Sequence, residues 1–250
     1  MSEAGDGFLI RSLASTYPDG FTIAAHDHPW GQLAYGISGV MRVATEARVW
    51  LSPATRAVWL PPHRPHSLRM KGAVALRTIY VAPEIGGDLP VEAVVLAVRP
   101  LLRELILHAL SLGMLGPGVP AQARLAQVLV DQIALAPRED LALPLPRDPR
   151  ALALAEQIQA QVEARTSLPD LARAAGASLR TLQRLFPRET GLSLEDWRQK
   201  ARMIHAAAAL AAGATVTDAA LGCGYESVSA FITAFRRQFG VTPGRYPPAA

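Results

Sequence analysis

A single cysteine, Cys223, stands in 250 residues. One thiol excludes a disulfide framework and a thiolate zinc site. Long hydrophobic runs are missing too: charge or proline interrupts every apolar stretch before it reaches the length of a membrane span,. The opening MSEAGDGFLIRS places acids ahead of any basic residue and lacks the pattern of a secretory signal,. A cytoplasmic location with no membrane partner is expected. No Walker loop, dinucleotide glycine motif or Ser-His-Asp set stands out. Charge of one sign is scarce: 25 basic residues face 21 acidic ones, a formal net charge of +4. That mild excess, which lies towards the C-terminus, favours an anionic partner without requiring one. Half of the residues are apolar, enough to bury more than one core, and the length fits one large domain or two ordinary ones.

The N-terminal third reads as short strands. FTIAAH, QLAYGIS, VMRVAT, ARVWLS, RAVWLPP, HSLRM and VALRTIYVA, between residues 21 and 82, are rich in β-branched and aromatic residues with turn residues between them. This is the pattern of an all-β barrel or sandwich. Ser38-Gly39 and Lys71-Gly72 are candidate hairpin turns,.

The pattern changes near residue 90. VEAVVLAVRPLLRELILHALSLG has helical apolar spacing, with Leu101, Leu105 and Leu112 in register and a break at Pro100,. PAQARLAQVLVDQIALA is a second helix, with Pro120 in its first turn,. The stretch 137–149, which carries Pro137, Pro144, Pro146 and Pro149, suits neither helix interior nor central strand and is taken as a linker,. The expected divisions are a β-rich domain at 1–88, a helical region at 89–136 that offers a self-association surface, the linker, and an all-helical domain at 150–250.

Two helix-turn-helix units are legible in that last domain, at 168–188 and 217–239. In SLPDLARAAGASLRTLQRLFPRETG, Ser167 caps a short helix and Gly176 permits the turn,. Ser178 then caps a second helix, whose Leu182, Leu185 and Phe186 point inward. Arg180, Thr181, Gln183 and Arg184 point out, and these residue types bind phosphates and base edges,. In TVTDAALGCGYESVSAFITAFRRQFG, Thr217 is the expected cap, Ala219, Ala220 and Leu221 pack, and Gly222 and Gly224 make the turn. Ser227 caps the last helix, where Phe231, Phe235 and Phe239 form a buried stripe,. Val228, Ser229 and Thr233 lie opposite, with Arg236 and Arg237 following. The helix between the units, SLEDWRQKARMIHAAAALAAG, makes a rod of roughly 30 Å,. Successive major grooves on one face of DNA are about 34 Å apart.

On LARAAGASLRTLQRLFPRETGLSLEDWRQKARM and VTDAALGCGYESVSAFITAFRRQFGVTPGRYP the chain resembles the AraC/XylS family of bacterial transcription regulators. Pro247 stands where that family more often has arginine. The resemblance covers about 100 residues and implies a bipartite domain reading two adjacent major grooves of double-stranded DNA. Carried over by position, Arg180, Gln183 and Arg184 face bases from the first helix. Val228, Ser229 and Thr233 do so from the second, whose short side chains leave most of the specificity to the first.

The histidines cluster in two places, His26 and His28 with Gln32 close by, and His63 and His66 in PPHRPH. Residues i and i+2 of a strand share a face, so His26 and His28 can look into one cavity with Gln32 and His66. Three imidazoles and one amide oxygen suit a divalent first-row ion: Zn, Ni, Fe or Mn. The bland alternative is a polar cavity without metal. Gly20, His26, His28 and Gly39 resemble the first cupin motif, with Gln32 in place of its glutamate, and Pro61 and His66 match part of the second. That resemblance implies a small β-barrel. Trp30, Tyr35, Trp50 and Trp59 are candidate walls of an effector pocket, of which Trp30, Tyr35 and Trp59 are taken as effector-binding. Arg42, Arg56 and Arg77 could meet an anionic effector, but each alone reads as a solvated outer face, and Cys223 reads as a small buried residue.

The expected fold is α+β and multidomain: a cupin-like barrel, a helical connector and an all-α domain with two helix-turn-helix units. The expected function is a non-enzymatic, sequence-specific DNA-binding transcription regulator controlled by a small molecule or metal in the barrel, acting as a homodimer. RNA polymerase is a further partner if it activates. The alternative is a metal-dependent cupin enzyme fused to a DNA-binding module, against which the missing glutamate counts.

Overall fold

A computed structural model describes residues 7–162 and 166–246. The chain forms two compact units, one of residues 7–45 and 52–141, the other of 46–51 together with the described residues from 142 onward. Pro247 lies outside the described residues.

Unit one carries strands β1 (Ile10–Tyr17), β2 (Thr22–His26), β3 (Gly31–Gly36), β4 (Val40–Ala44), then, after β5 (Arg48–Pro53), β6 (Arg56–Leu60), β7 (His66–Lys71), β8 (Val74–Val81) and β9 (Val94–Ala97). Helix α1 (Pro100–Leu112), the short β10 (Met114–Leu115), helix α2 (Pro120–Ala134) and the short β11 (Arg138–Glu139) follow. A seven-stranded sheet runs in the order β10-β1-β8-β3-β6-β9-β11, and β4, β7 and β2 are neighbours in a second sheet. The expected barrel is therefore two sheets rather than one closed cylinder. Strand pattern predicts an alternating burial but not which edges meet. The turns at 38–39 and 71–72 join β3 to β4 and β7 to β8, so they cross from one sheet to the other and are not hairpins.

Alternation along the strands sorts side chains between two faces of the seven-stranded sheet. Leu33, Tyr35, Ala57, Trp59, Ile79 and Val81 form one core with Leu102 and Ile106 of α1 and Leu129 and Ile133 of α2. Strand β1, not anticipated from the sequence, pairs with β8 over its whole length, from Ile10 against Val81 to Tyr17 against Val74. The segment before Pro100 is not helix: Val94–Ala97 is a strand paired with β6, and Pro100 opens α1 instead of interrupting it. The buried face of α1 is Leu102, Ile106 and Ala109, which leaves Leu101 58% and Leu112 44% exposed. Arg56 is buried, contrary to expectation, because the Glu139 carboxylate accepts from its Nη2 and Nε at 2.9 and 3.0 Å. Both Arg11 and Trp30, at the other end of the sheet, belong to the face opposite the helices, where the guanidinium lies over the indole.

Unit two begins with Arg48–Leu51 of β5 and the short β12 (Ala142–Pro144), which pair antiparallel with Trp50 opposite Ala142 and Arg48 opposite Pro144. The stretch 137–149 thus holds two short edge strands, the position in a sheet that tolerates proline,. Helices α3 (Pro149–Ala160), α4 (Leu168–Ala174), α5 (Leu179–Thr190), α6 (Leu194–Ala211), α7 (Val216–Gly222) and α8 (Val228–Phe239) follow. Asp148, Ser167, Ser178, Ser193 and Ser227 cap the helices they precede. The cap of α7 is Thr215, not Thr217, so that helix starts two residues earlier than read and turns Leu221 outward, 58% exposed. Gly176 and Gly224 take φ of +72° and +76°, the left-handed backbone each turn between paired helices requires,. Phe231 and Phe235 are fully buried and Phe239 half-buried. Among the described residues, no helix is long and apolar enough to cross a membrane.

Candidate functional site

Each helix-turn-helix exposes a polar helix face. On α5 the cap of Ser178 fixes the first turn by accepting from Thr181 N at 3.1 Å. Leu182, Leu185 and Phe186 go inward, and Arg180, Gln183 and Arg184 are exposed. Thr181 is half-buried, its hydroxyl 2.8 Å from that of Ser178, so it belongs to the cap more than to the outer face. On α8, Ser229, Thr233, Arg236 and Arg237 are exposed and Val228 is half-buried. The Thr233 hydroxyl donates to the Ser229 carbonyl at 3.0 Å. Helix α6, the rod between the units, has 18 residues, about 27 Å at 1.5 Å per residue.

A groove of about 520 Å³ beside α8 is lined by Glu195, Asp196 and Gln199 of α6 and by Tyr225, Thr233 and Arg237. No sequence pattern pointed to it. Its two carboxylates offset positive charge beside Arg237, whereas the exposed groups of α5 named above are arginines and an amide,.

The histidines converge as expected. His26, His28 and His66 each offer a ring nitrogen, and the three atoms lie within 4.8 Å of one another. Their backbones explain why. His26 and His66 are opposite residues on β2 and β7, and His28 is anchored by its carbonyl, which accepts from His63 N at 2.8 Å. His63 itself is exposed, in a left-handed turn. Each Nδ1 sits by a backbone carbonyl: Ala24 O at 2.9 Å from His26, Trp30 O at 2.7 Å from His28 and Arg64 O at 2.8 Å from His66. A carbonyl only accepts, so each Nδ1 carries a proton, and in the neutral ring Nε2 presents the lone pair. Burial, with the charge of His26 and His28 nearby, lowers the His66 pKa to about 4, which keeps that ring neutral at pH 7.

Two details bear on what the cluster can hold. His66 Nε2 is buried and has no hydrogen-bond partner. Gln32 Oε1 lies 3.0 Å from His28 Nε2, two acceptors facing each other. Either the amide turns to donate its NH2, or a proton or metal cation sits between the two atoms. The donor set fits a first-row divalent ion. Nitrogens at about 2.0–2.1 Å from a tetrahedral ion stand about 3.4 Å apart, so rings whose nitrogens lie within 4.8 Å of one another draw together to hold one. Backbone carbonyls on the outer nitrogens are the orienting partners that ligating histidines ordinarily have.

The aromatic residues divide differently from the expectation. Tyr35 and Trp59 face the helices, within the core that includes α1 and α2, and the Trp59 indole donates to Pro90 O at 2.8 Å. Their strand parity is opposite to that of Gln32, so they do not line the histidine cavity. Trp30 does belong to that side, beneath Arg11 at 4.6 Å. Tyr80, whose ring meets His28 edge-on at 5.2 Å, and Arg11, opposite Tyr80 on β1, were missed. The alternation in IRSLASTY was the available signal.

A β-rich unit with a polar interior and a unit with paired helix-turn-helix elements define a DNA-binding regulator with its own ligand-binding domain. A family model described as an AraC-like ligand binding domain matches residues 9–186, and one described as a helix-turn-helix domain matches 171–247. The HTH-type transcriptional regulator NimR of Escherichia coli is 34% identical over 244 residues, 98% of this chain and 88% of that protein. The HTH-type transcriptional regulator RipA of Corynebacterium glutamicum is 37% identical over 103 residues, 41% of this chain and 31% of that protein. Among solved structures, the C-terminal domain of AraT from Geobacillus stearothermophilus is 28% identical, with a TM-score of 0.38 over 40% of this chain and 84% of that one. The chain belongs to the AraC family of transcription regulators.

Proposed function

We propose that this regulator reads DNA mainly through Arg180, Gln183 and Arg184 of α5. Ser229, Thr233, Arg236 and Arg237 of α8 add phosphate and shape contacts, and Thr181 and Val228 pack at the helix starts. The exposure of the three α5 side chains on a capped helix supports this division, as does the acidic edge of the groove beside α8.

The sensor site is the histidine-lined interior of unit one. His26, His28 and His66, with Gln32 as fourth donor, hold a divalent first-row ion there. When bound, the ion supplies a Lewis-acidic coordination point for an effector. The reading rests on one observation: three Nδ1 protons committed to backbone carbonyls leave three lone pairs converging on one point. The ion acts as sensed species or as anchor, not in turnover. Gln32 is neutral, offsets no metal charge and supplies no general base, which disfavours the enzyme alternative.

Leu101 and Leu112 leave an apolar edge on α1, which a second copy covers in a two-fold homodimer. The double variant Leu101→Glu, Leu112→Glu is expected to sediment as monomer while the wild type sediments as dimer. RNA polymerase is the further partner where the bound protein activates. Footprinting of DNA upstream of the gene, with and without zinc, tests the whole proposal. Protection that changes with zinc supports it. Protection indifferent to zinc, nickel, iron and manganese removes the metal from the scheme.

A further inference from the structure

We propose that helix α6, the spacer between the two helix-turn-helix units, is itself a DNA contact, with Arg198 and Arg202 gripping the phosphate backbone between the two major grooves. This goes beyond the reading of DNA by α5 and α8 and rests on it.

Four residues of α6 share one stripe. Glu195, Arg198, Gln199 and Arg202 recur at i, i+3, i+4 and i+7,. Glu195 and Gln199 line the same groove as Thr233 and Arg237 of α8, so the stripe looks toward the side on which α8 meets DNA. The Gln199 side chain donates to the Tyr225 hydroxyl, and a Cβ placed on Gly224 would lie 3.6 Å from Arg202 Nη2. Gly224 and Tyr225 both belong to the turn that leads into α8. Along the same stripe, Arg198 Nη2 donates to the Thr166 carbonyl at 2.8 Å, one residue before the Ser167 cap of α4. In a docked helix-turn-helix the first helix crosses the DNA backbone and the second enters the groove by its N-terminal residues. The two arginines therefore stand between the backbone-crossing start of one unit and the turn that feeds the reading helix of the other.

Their charges call for an anion. Among the described residues neither guanidinium is bonded to a carboxylate. Burial, and the charge of Arg202 close by, hold Arg198 below its ordinary pKa, against an upward pull from Glu195. Like charges one helical turn apart repel, and a group that accepts hydrogen bonds from both relieves that repulsion. A phosphate does so, because guanidinium forks match its oxygens. Duplex DNA offers a row of phosphates at this place. Major grooves on one face are about 34 Å apart, and between them the same face shows the minor groove, edged by two phosphate strands. Helix α6, with 18 residues, covers about 27 Å of that interval at 1.5 Å per residue.

The full-length protein is titrated, by fluorescence anisotropy over a range of KCl, onto the footprinted upstream DNA and onto a scrambled duplex of equal length. Arg202→Gln is expected to weaken both duplexes about three- to ten-fold at equal salt and to flatten the salt slope by about 1. Base preference should stay unchanged, and the melting temperature should equal or exceed that of the wild type. Arg198→Gln, one turn earlier, is expected to flatten the slope likewise. Arg202→Lys keeps the charge and should hold the wild-type slope. Ethylation interference locates the phosphate: modification between the two protected major grooves is expected to block the wild type and to lose its effect on Arg202→Gln. Wild-type slopes in both glutamine variants, or ethylation there without effect on the wild type, overturn the proposal. So does a loss of affinity with unchanged slope and a lowered melting temperature, which marks the arginines as structural. The reading by α5 fails separately, when Arg184→Ala leaves base preference intact while Arg202→Gln still flattens the slope. The reverse pair of results sinks the spacer contact and spares that reading.

Discussion

The indole N–H of Trp197 donates to the carbonyl of Pro144 at 2.7 Å. One residue stands near the start of α6, the other ends strand β12. The same Trp197 ring meets Phe186, on the buried side of α5, at 5.6 Å and nearly edge-on. At the far end of α5, Glu189 accepts from the backbone N–H of Arg147 and Asp148 at 2.8 and 2.9 Å. Helix α5 is therefore fastened to the segment 144–148 from two sides.

Trp197→Phe keeps an aromatic ring against Phe186 and removes the hydrogen bond. The expected loss of stability is about 0.5–1.5 kcal/mol, read from the urea midpoint. Trp197→Ala opens a cavity in a fully buried position and is expected to cost about 3–5 kcal/mol.

Acid should loosen these fastenings. The backbone N–H of Asp148, with the Arg188 guanidinium, holds the Glu189 carboxyl below its ordinary pKa. The Arg150 side chain draws Asp148 down to about 2. A carboxylate lowered on folding contributes stability in full above its unfolded pKa, and that contribution fades as pH falls through the folded value. The contribution of these two carboxylates is expected to be flat from pH 7 to 5 and to fall between about pH 4 and 2. Glu189→Gln should reduce the slope there. Denaturation curves at each pH measure both.

Arg184→Ala is expected to lose about 1–3 kcal/mol on the cognate DNA site and to relax preference at one base position. Arg237→Ala, beside the acidic groove, should lose less and lower the salt slope by about 1 without changing preference. Fluorescence anisotropy at several salt concentrations distinguishes the two. Equal effects from both variants would show the specificity to be shared.

His66→Ala should abolish stoichiometric zinc after dialysis, measured by elemental analysis. Gln32→Glu adds a charged ligand at a residue 3% exposed. It is expected to tighten zinc at least ten-fold and to lower the melting temperature of metal-free protein, because a buried carboxylate without its cation is costly. A variant that melts higher without metal would place the new carboxyl outside the cluster.

Much of unit two was legible because its signals are local. Ser167, Ser178, Ser193 and Ser227 cap where their types predict, and Phe231 and Phe235 fall on one helical face. Thr217 was misjudged because Thr215, two residues earlier, is an equally good cap, and only the Thr215 oxygen accepts from Asp218 N. In unit one the strands were visible but their partners were not. Arg56 looks like a surface charge until Glu139, 83 residues away, closes on it.

The sequence by itself determined the class of each unit, the two polar helix faces and the nearness of His26, His28 and Gln32, which His66 joins only through the pairing of β7 with β2. Those follow from spacing along a helix or strand, which the backbone imposes within a few residues. Tertiary structure alone decided that the sheets stay two, that Tyr35 and Trp59 turn to the helices, and that Arg11 and Tyr80 join the histidine wall. Which face of a strand is interior depends on what packs against it from elsewhere in the chain, and no local pattern carries that.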